Sequence, residues 1–324
     1  MSVVIETKDL TKTYEAGFFS GQEVHALKNM NLQINTGEIF AYLGPNGSGK
    51  TTTIKMMLSL IFPTSGSIEI LGRKDIRSSE VKRQIGYLPE GAYYPEFLKG
   101  EEVLRFYGQL YGLSGEDLEQ RVAKTLDIVS MTYARNRLIR GYSKGMRQRI
   151  GLAQALLSDP TILILDEPTT GLDPLARKEM RDILANLRDE GKTLLISSHE
   201  LQEVELISDR VAIIYRGEMQ ISGTLTELLT DRDVTIEADS ITPAAQAKLE
   251  QLNIKAEDIT KERSLLHIPS GMSLYDAVEV CKQENINILS VAPRRETLEE
   301  LFVRTVGDAS RAESGKAQPA TAAN

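Results

Sequence analysis

The stretch that decides the fold of this chain is Gly44-Pro45-Asn46-Gly47-Ser48-Gly49-Lys50-Thr51. It has the spacing G-x-x-x-x-G-K-[ST], in which a glycine-rich turn connects a strand to a helix. The glycines let successive backbone N–H groups surround a phosphate, and the helix N-terminus adds a positive partial charge. Lys50 would then contact the β- and γ-phosphates, and the hydroxyl of Thr51 would bind Mg²⁺. The stretch therefore predicts a site for a nucleoside triphosphate.

The flanking residues favour this interpretation over a chance match. Ile39–Leu43 is a short apolar run, as expected for a buried parallel strand. Thr52 begins a predicted helix that extends to Leu60, and Pro63 follows that helix. The phosphate loop, or P-loop, is thus predicted to lie between a strand and a helix.

Two further apolar strands end in residues that suit nucleotide chemistry. Asp166 and Glu167 follow the run Ile162–Leu165, and the carboxyl ends of parallel strands form the edge where ligands bind. We expect Asp166 to hold Mg²⁺ and Glu167 to act as general base on water. His199 follows the strand Thr193–Ser197 and could donate to a γ-phosphate oxygen. The alternative is that these polar residues are purely structural.

Composition limits the classes of protein to consider. The 324 residues suggest two domains, and a net charge of −8 argues against a dedicated nucleic-acid binder. The single cysteine, Cys281, excludes a disulfide framework, and we expect it to be a small buried residue on a helix. The N-terminus lacks the pattern of a secretory signal, and no apolar run approaches the length of a membrane span.

Three segments allow more than one interpretation. Tyr14 lies in a turn-rich segment between short predicted strands, where it could stack on a nucleobase or pack at an edge. The aromatic loop Ala92–Leu98 is either core or a partner-contact surface. Ser143 is a good N-cap for a helix, although most capped helices bind nothing. Helical spacing predicts two apolar faces after the loop, one formed by Val103, Phe106, Tyr107 and Leu110 and the other by Leu118, Val122, Leu126 and Val129.

The character of the sequence changes near Asp231. The pattern from there predicts the order β-α-β-β-α-β plus a final helix, which is the ferredoxin-like order. Residues after Gly307 are small and polar, and we expect disorder there. We therefore predict a domain at residues 1–228, with a helical part at about 92–158, a second domain at 231–306 and a tail at 307–324.

Taken together, the motifs resemble those of the ATP-binding-cassette (ABC) ATPases over about residues 3–225. The resemblance is carried, in order, by Gly44–Thr51, Ser143–Arg149, Asp166–Glu167, Asp173 and His199. It implies an α/β fold of the P-loop NTPase class, with a RecA-like core, an antiparallel β subdomain and a helical subdomain. The small α+β domain would follow. A single cassette with such a domain looks like the ATPase subunits of bacterial ABC-2-type exporters, the group with drug-resistance and gliding-motility ATPases.

The resemblance also implies roles that spacing alone does not give. Tyr14 would stack on adenine. Ser143 and Gly145 would contact the γ-phosphate held by a second copy in a head-to-tail dimer, and Asp173 would link the two sites. It assigns catalysis to Lys50, Glu167 and His199, and metal binding to Thr51, Asp166 and Glu90. It assigns nucleotide contacts to Tyr14, Gly44, Pro45, Asn46, Gly47, Ser48, Gly49, Lys50, Thr51, Thr52, Glu90, Ser143, Gly145, Asp173 and His199.

Two residues depart from the usual family pattern. Glu90 stands where the family usually has Gln, and Lys144 lies within a signature that usually reads L-S-G-G-Q. Both changes put the rate and coupling of hydrolysis in question. The implied partner is an ABC-2-type membrane permease, contacted by the loop Glu90–Leu98 and the helices after it. The implied location is the inner face of the cell membrane, without nucleic acid. The rival functions are a soluble cassette ATPase acting on ribosomes or DNA and a non-hydrolysing ATP sensor.

Overall fold

The computed structural model describes residues 2–16, 22–91, 93–229, 231–260, 262–269 and 272–316. Its internal contacts divide the chain into two units. Unit 1 comprises the residues up to Leu225 and those from Phe302 onward, and unit 2 comprises Thr226–Leu301. Every residue that the sequence analysis assigns to the nucleotide site falls in unit 1.

The strands and helices of unit 1 follow one another as β1 (Val3–Ala16), β2 (Gln22–Asn35), β3 (Ile39–Leu43), α1 (Lys50–Met57), β4 (Ser65–Ile70), α2 (Ser79–Arg83), β5 (Ile85–Leu88), α3 (Gly100–Leu110), α4 (Gly115–Ile128), α5 (Lys144–Leu156), β6 (Ile162–Asp166), α6 (Pro174–Asp189), β7 (Thr193–Ser198), α7 (Leu201–Glu205), β8 (Arg210–Tyr215) and β9 (Glu218–Thr224). The short helix α8 (Leu225–Leu228) crosses the division between the units.

The central sheet has the strand order β5-β6-β7-β3-β8-β9. All neighbours are parallel except β9, which pairs antiparallel with β8. Every residue of β3, β6 and β7 is buried, which explains why these strands are near-continuous apolar runs. Because β6, β7 and β3 are adjacent and parallel, their carboxyl ends meet at one edge of the sheet. The P-loop, the two acids and His199 all leave the sheet at that edge.

A second sheet contains β2, β1 and β4 in that order, all antiparallel. The expectation of short strands with Tyr14 in a turn-rich segment is wrong, since β1 and β2 are each 14 residues long and Tyr14 pairs with Val24. Thr11, Thr13 and Tyr14 favour an extended strand, and bulges near Asp9 adjust the pairing. This β propensity outweighs the turn residues of the segment.

Helices α3, α4 and α5 share an apolar core that covers one side of the central sheet. The predicted face of α4 is confirmed, because Leu118, Val122, Leu126 and Val129 are all buried. The predicted face of α3 is only partly correct. Val103 is buried and Tyr107 packs against the core, but Phe106 is 52% exposed and Leu110 is 68% exposed. Leu104 takes the buried position instead.

Unit 2 has the element order that its sequence pattern predicts. It comprises β10 (Asp231–Asp239), α9 (Pro243–Gln251), β11 (Lys255–Thr260), β12 (Arg263–Pro269), α10 (Leu274–Gln283), β13 (Ile288–Arg295) and the first residues of α11 (Leu298–Lys316). The four strands form an antiparallel sheet in the order β11-β12-β10-β13. Thr242 caps α9 by accepting the N–H of Ala245 at 3.2 Å. Cys281 is fully buried in the core of this unit, as expected.

The last helix is longer than the sequence analysis expected. Disorder was predicted from residue 307, but α11 continues to Lys316. Ala309, Arg311 and Ala312 are good helix formers, and they allow the helix to continue past Gly307. The rest of the predicted tail, residues 317–324, lies outside the described residues, as does Ala92 at the start of the aromatic loop.

Candidate functional site

The P-loop leaves β3 at Gly44 and enters a helix, as the sequence predicts. The helix α1 begins at Lys50 and ends at Met57, earlier at both ends than the predicted Thr52 and Leu60. Gly49 has a φ of +111°, and a Cβ there would lie 2.6 Å from the carbonyl oxygen of Ala26. A Cβ on Gly44 would lie too close to the carbonyl oxygen of Ile214. These two glycines are therefore required by space, and Gly47, with a φ of +79°, by backbone conformation.

Lys50 is the buried cation of the loop. Its ammonium donates to the carbonyl oxygen of Gly44 at 2.5 Å and approaches that of Pro45 at 3.4 Å. Burial lowers the pKa of Lys50, and the negative charges of Glu167, Asp166 and Glu90 oppose that effect. A cation next to three carboxylates provides the charge arrangement that suits a phosphate together with a metal ion.

One cavity of about 210 Å³ joins these elements, and it is lined by Ala26, Pro45, Asn46, Gly47, Ser48, Gly49, Lys50, Thr51, Thr52, Glu90, Asp166, Glu167 and His199. The structure thus brings together most of the residues assigned to the site. Ala26 is an addition that local sequence gives no means to find, because it comes from β2. The hydroxyl of Ser48 is buried in the loop and has no hydrogen-bond partner among the described residues.

Asp166 ends β6 directly beside Ser197 of β7. The hydroxyl of Ser197 donates to Oδ1 of Asp166. Burial raises the pKa of the Asp166 carboxyl, and this hydrogen bond opposes the increase. Local sequence does not reveal the role of Ser197, because only the pairing of β6 with β7 places the two residues side by side.

Glu167 has an unusual backbone for a residue with a side chain. Its φ is +52°, and its N–H donates to the carbonyl oxygen of Ser197 at 3.1 Å and to its hydroxyl at 3.2 Å. The carboxylate is buried, and its Oε2 accepts from the hydroxyl of Thr170 at 2.9 Å. Nδ1 of His199 lies 2.9 Å from the same oxygen. The ring is therefore held through Nδ1, so Nε2 is the nitrogen that can reach a phosphate.

The donor atoms of the cavity fit Mg²⁺ bound together with a nucleotide. The described residues contain no cluster of three or more His, Cys, Asp or Glu side chains that could hold a metal ion by themselves. Mg²⁺ ordinarily takes one or two carboxylates together with phosphate oxygens and water. Asp166, Glu90 and the hydroxyl-bearing Thr51 line one cavity and match that kind of site.

Ser143, Gly145 and Asp173 form a second cluster that does not line this cavity. Ser143 caps α5 by accepting the N–H of Met146 at 3.2 Å, and Asp173 caps α6 by accepting the N–H of Ala176 at 2.9 Å. A Cβ on Gly145 would lie 2.9 Å from the Cβ of Ala176, so the two helix starts are in close contact.

Lys144 lies beside the second cluster. Its ammonium occupies the space that a Cβ on Gly171 would need. Lys144 therefore contacts the loop before Asp173 in its own chain.

Tyr14 also lies outside the cavity lining. Its side chain is 40% exposed on β1, and the ammonium of Lys12 lies 5.0 Å from the ring centroid. The ring is thus available for contact, with a cation on one face.

The aromatic loop is partly core and partly exposed surface, so it matches both of the expected interpretations. Tyr93 is 92% exposed and Phe97 is 76% exposed. Tyr94 instead packs on the core, with its ring 6.0 Å from that of Tyr107 in an edge-to-face contact. Its hydroxyl donates to the side-chain oxygen of Gln154 at 3.0 Å. Tyr93 and Phe97 are therefore the side chains that a partner can reach.

Comparisons with known proteins identify the family of the chain. A family model described as ABC transporter matches residues 27–170. An uncharacterized ABC transporter ATP-binding protein of Synechocystis sp. is 36% identical over 304 residues, covering 93% of this chain and 84% of that protein. The bacitracin transport ATP-binding protein BcrA of Bacillus licheniformis is 33% identical over 312 residues, covering 95% and 98%.

Among solved structures, the dimeric post-hydrolysis state of the ATP-binding cassette MJ0796 bound to ADP and Pi is similar. It has a TM-score of 0.61 and 28% identity, and the match covers 68% of this chain and 98% of that one. The two sequence relatives match almost the full length of the chain at 33–36% identity. The chain therefore belongs to the ATP-binding proteins of ABC transporters, and it is an ATPase.

Proposed function

We propose that this chain binds Mg²⁺-ATP in the cavity at the edge of the central sheet and hydrolyses it to drive an exporter. The observation that carries the proposal is the cavity itself. It joins the P-loop that follows β3, with Lys50 and Thr51, to Asp166 and Glu167 at the end of β6 and to His199 after β7. Such a set supplies a phosphate-binding cation, metal ligands and a proton acceptor, which phosphoryl transfer to water uses.

The P-loop residues would bind the phosphates. The ammonium of Lys50 donates to the carbonyl oxygens of Gly44 and Pro45, and a phosphate is a stronger acceptor for the same group. The residues that we propose to hold Mg²⁺ are Thr51, Asp166 and Glu90. When bound, the metal ion supplies neutralisation of the charge on the phosphate oxygens.

Glu167 is the proposed general base. Its carboxylate would take a proton from the attacking water, while Thr170 and His199 fix the position of the oxygen that they contact. His199 would contact the γ-phosphate through Nε2. The strained backbone at Glu167 is typical of a residue whose position is set by function.

A second copy of the chain is proposed to complete the site. ABC ATPases dimerise, and we propose a head-to-tail dimer in which Ser143 and Gly145 of one copy contact the γ-phosphate bound by the other. Both residues lie outside the cavity of their own chain, which supports a contact in trans. Asp173 would lie at the same interface, and Tyr14 would stack on the adenine.

A membrane permease is the proposed partner. ATPases of this family pair with membrane permeases, and none of the described helices is long and apolar enough to cross a bilayer. The similarity to a bacitracin transport protein supports a permease of the ABC-2 exporter type. The chain would then act at the inner face of the cell membrane. Its net charge of −8 favours a protein partner over nucleic acid.

The two units support the proposed domain division. We propose an ATPase domain at residues 1–228, with its helical part at about 92–158, and a ferredoxin-like domain at 231–306. The strand order β11-β12-β10-β13 of unit 2 supports the second assignment.

The proposal is tested by separating binding from turnover. Lys50→Ala should remove most ATP binding, since the phosphates lose a buried cation. Glu167→Gln should keep ATP affinity but lower turnover at least about a hundredfold, because an amide cannot accept the proton. Nucleotide titration by fluorescence and phosphate release measure the two properties. Unchanged affinity in the first variant, or parental turnover in the second, contradicts the assigned roles.

A further inference from the structure

Arg177 lies on the first turn of α6, just after the loop that carries Asp173. Its Nε donates to the carbonyl oxygen of Leu172 at 2.9 Å. One terminal nitrogen of the same guanidinium forms an ion pair with Oε1 of Glu200 at 3.0 Å, and the other lies 3.9 Å from Oε1 of Glu203. One planar side chain therefore fixes a loop carbonyl and a carboxylate relative to each other, because the donors of a guanidinium lie in a rigid fork.

The two groups that Arg177 holds belong to the two loops that flank the proposed general base. Leu172 precedes Asp173, in the segment that begins at Glu167. Glu200 directly follows His199, whose ring contacts the carboxylate of Glu167. Arg177 thus closes a ring of contacts, from Glu167 along the chain to Leu172, through the guanidinium to Glu200, and back through His199.

Glu200 depends on this contact. Its side chain is mostly buried, and its other oxygen, Oε2, has no hydrogen-bond partner among the described residues. A buried carboxylate that loses its cation is strongly destabilised where it lies, so it would move towards water. Any such movement would shift His199, its neighbour in the chain.

We propose that Arg177 is a positioning residue for ATP hydrolysis, which couples the loop of Asp173 to the loop of His199. The second copy of the chain is proposed to contact the loop of Asp173. The γ-phosphate is proposed to contact the loop of His199. Arrival of the partner at Asp173 would therefore be transmitted through Arg177 to the imidazole and to Glu167. The inference rests on the proposed function, because it assumes that Glu167 and His199 act in turnover.

The chain offers a matched control in Arg181, one turn further along α6. Arg181 pairs with Oε2 of Glu203 at 2.8 Å, so it also ties α6 to α7. In the part of the chain that the structure describes, it contacts neither Leu172 nor Glu200. A role that is only structural predicts the same effect for Arg177→Gln and Arg181→Gln.

The experiment compares kcat, the KM for ATP and the melting temperature of these variants. For Arg177→Gln we expect a kcat at least about tenfold lower with a KM within about twofold, because the side chain does not line the cavity and acts through geometry. Arg177→Lys should lose nearly as much, since lysine lacks the planar fork that fixes the two contacts relative to each other. Arg181→Gln should keep kcat within about twofold of the parent, even if its melting temperature falls as much as that of Arg177→Gln.

A second pair of variants keeps the test decisive if Arg177→Gln folds poorly. Glu200→Gln keeps the size and the acceptor oxygen but removes the charge, and it should lower kcat in the same way. The double variant Arg177→Gln/Glu200→Gln should be no slower than the worse single variant, because the two residues act as a unit. Equal kcat in Arg177→Gln and Arg181→Gln, or a raised KM at unchanged kcat, would overturn the inference.

The two levels of proposal fail differently. If Glu167→Gln and His199→Ala both keep parental turnover, the proposed function is wrong. If both lose turnover while Arg177→Gln keeps it, only the coupling role of Arg177 is wrong.

Discussion

Glu90 brings a third carboxylate to the cavity that Asp166 and Glu167 already line. Its charge acts on Lys50, where it opposes the effect of burial on the pKa of the ammonium. Glu90 is itself exposed, so it can approach or leave a metal ion at little desolvation cost. Glu90 thus adds one of the three carboxylates that ATP would meet on binding.

Replacing that charge should be measurable. Glu90→Gln is expected to tighten ATP binding about fivefold, since removing one partly screened like charge is worth ~1 kcal/mol. It should also weaken the dependence of binding on Mg²⁺, because an anionic ligand becomes neutral. Nucleotide titrations over a range of Mg²⁺ concentrations measure both effects.

The matched control is Glu96→Gln. Glu96 is an exposed acid that lies 3.7 Å from Arg147 and does not line the cavity. Its titrations should superimpose on those of the parent. If the curves of Glu90→Gln do so as well, Glu90 does not touch the metal ion.

At the scale of elements, the aromatic loop after Glu90 has some side chains that stabilise the fold and others that a partner can contact. Tyr94 and Leu98 pack on the core of α3, α4 and α5, whereas Tyr93 and Phe97 point outward. Two side chains of the same loop can therefore be changed without opening the core. Covering their apolar surface would favour binding by about 25 cal/mol per Å².

We expect Tyr93→Ser/Phe97→Ser to release the protein from membranes when its permease is co-expressed. Basal ATPase activity should persist, because neither side chain lines the cavity. Fractionation of membranes together with phosphate release measures the two properties. A double variant that stays membrane-bound and fully coupled would place the docking surface elsewhere.

Tyr94→Ser should instead reduce stability. The substitution removes a partly buried ring and its hydrogen bond to Gln154, so we expect a loss of about 2 kcal/mol in the free energy of unfolding. Urea unfolding measures this loss. Tyr93→Ser is the control and should stay within about 0.5 kcal/mol of the parent. Similar losses in the two variants would mean that Tyr94 is not part of the core.

At the scale of the whole molecule, the end of the chain contributes to unit 1. The cavity is built from residues between Ala26 and His199, but the residues from Phe302 onward also cluster with unit 1. Unit 2 has its own core of Ile236, Leu249, Leu266 and their neighbours. Removing everything after α8 therefore deletes the whole core of unit 2 and also a segment that clusters with unit 1.

Ending the chain after Leu228 should leave a protein that still binds ATP, since no cavity residue is removed. Its melting temperature should fall by a few degrees, because part of unit 1 is lost. Nucleotide titration and thermal unfolding test this outcome, with a chain ending after Val306 as the control. Complete loss of nucleotide binding would contradict the proposed domain division.

Sequence reasoning succeeded where chemistry is local. The P-loop, the acids after β6 and the apolar strands depend on residues that are close together in the chain. It failed where the answer depends on which elements become neighbours. The hydroxyl of Ser197 on Asp166, the inward turn of Tyr94 and the exposure of Phe106 follow from the packing of β6 on β7 and of α3 on α5. Tyr14 was misplaced for a different reason, because bulges let β1 continue through polar residues.

The left-handed backbone of Glu167 has a consequence for laboratory evolution. A residue with a side chain pays about 1–2 kcal/mol for that conformation, whereas Gly adopts it freely and Asn tolerates it. A screen that selects only for heat resistance should therefore enrich Gly or Asn at position 167, and each enriched clone would have lost the proposed base. Selection for ATP turnover would return Glu. The two screens should therefore select different residues at position 167. The residue found there would show whether a library was selected for stability or for ATP turnover.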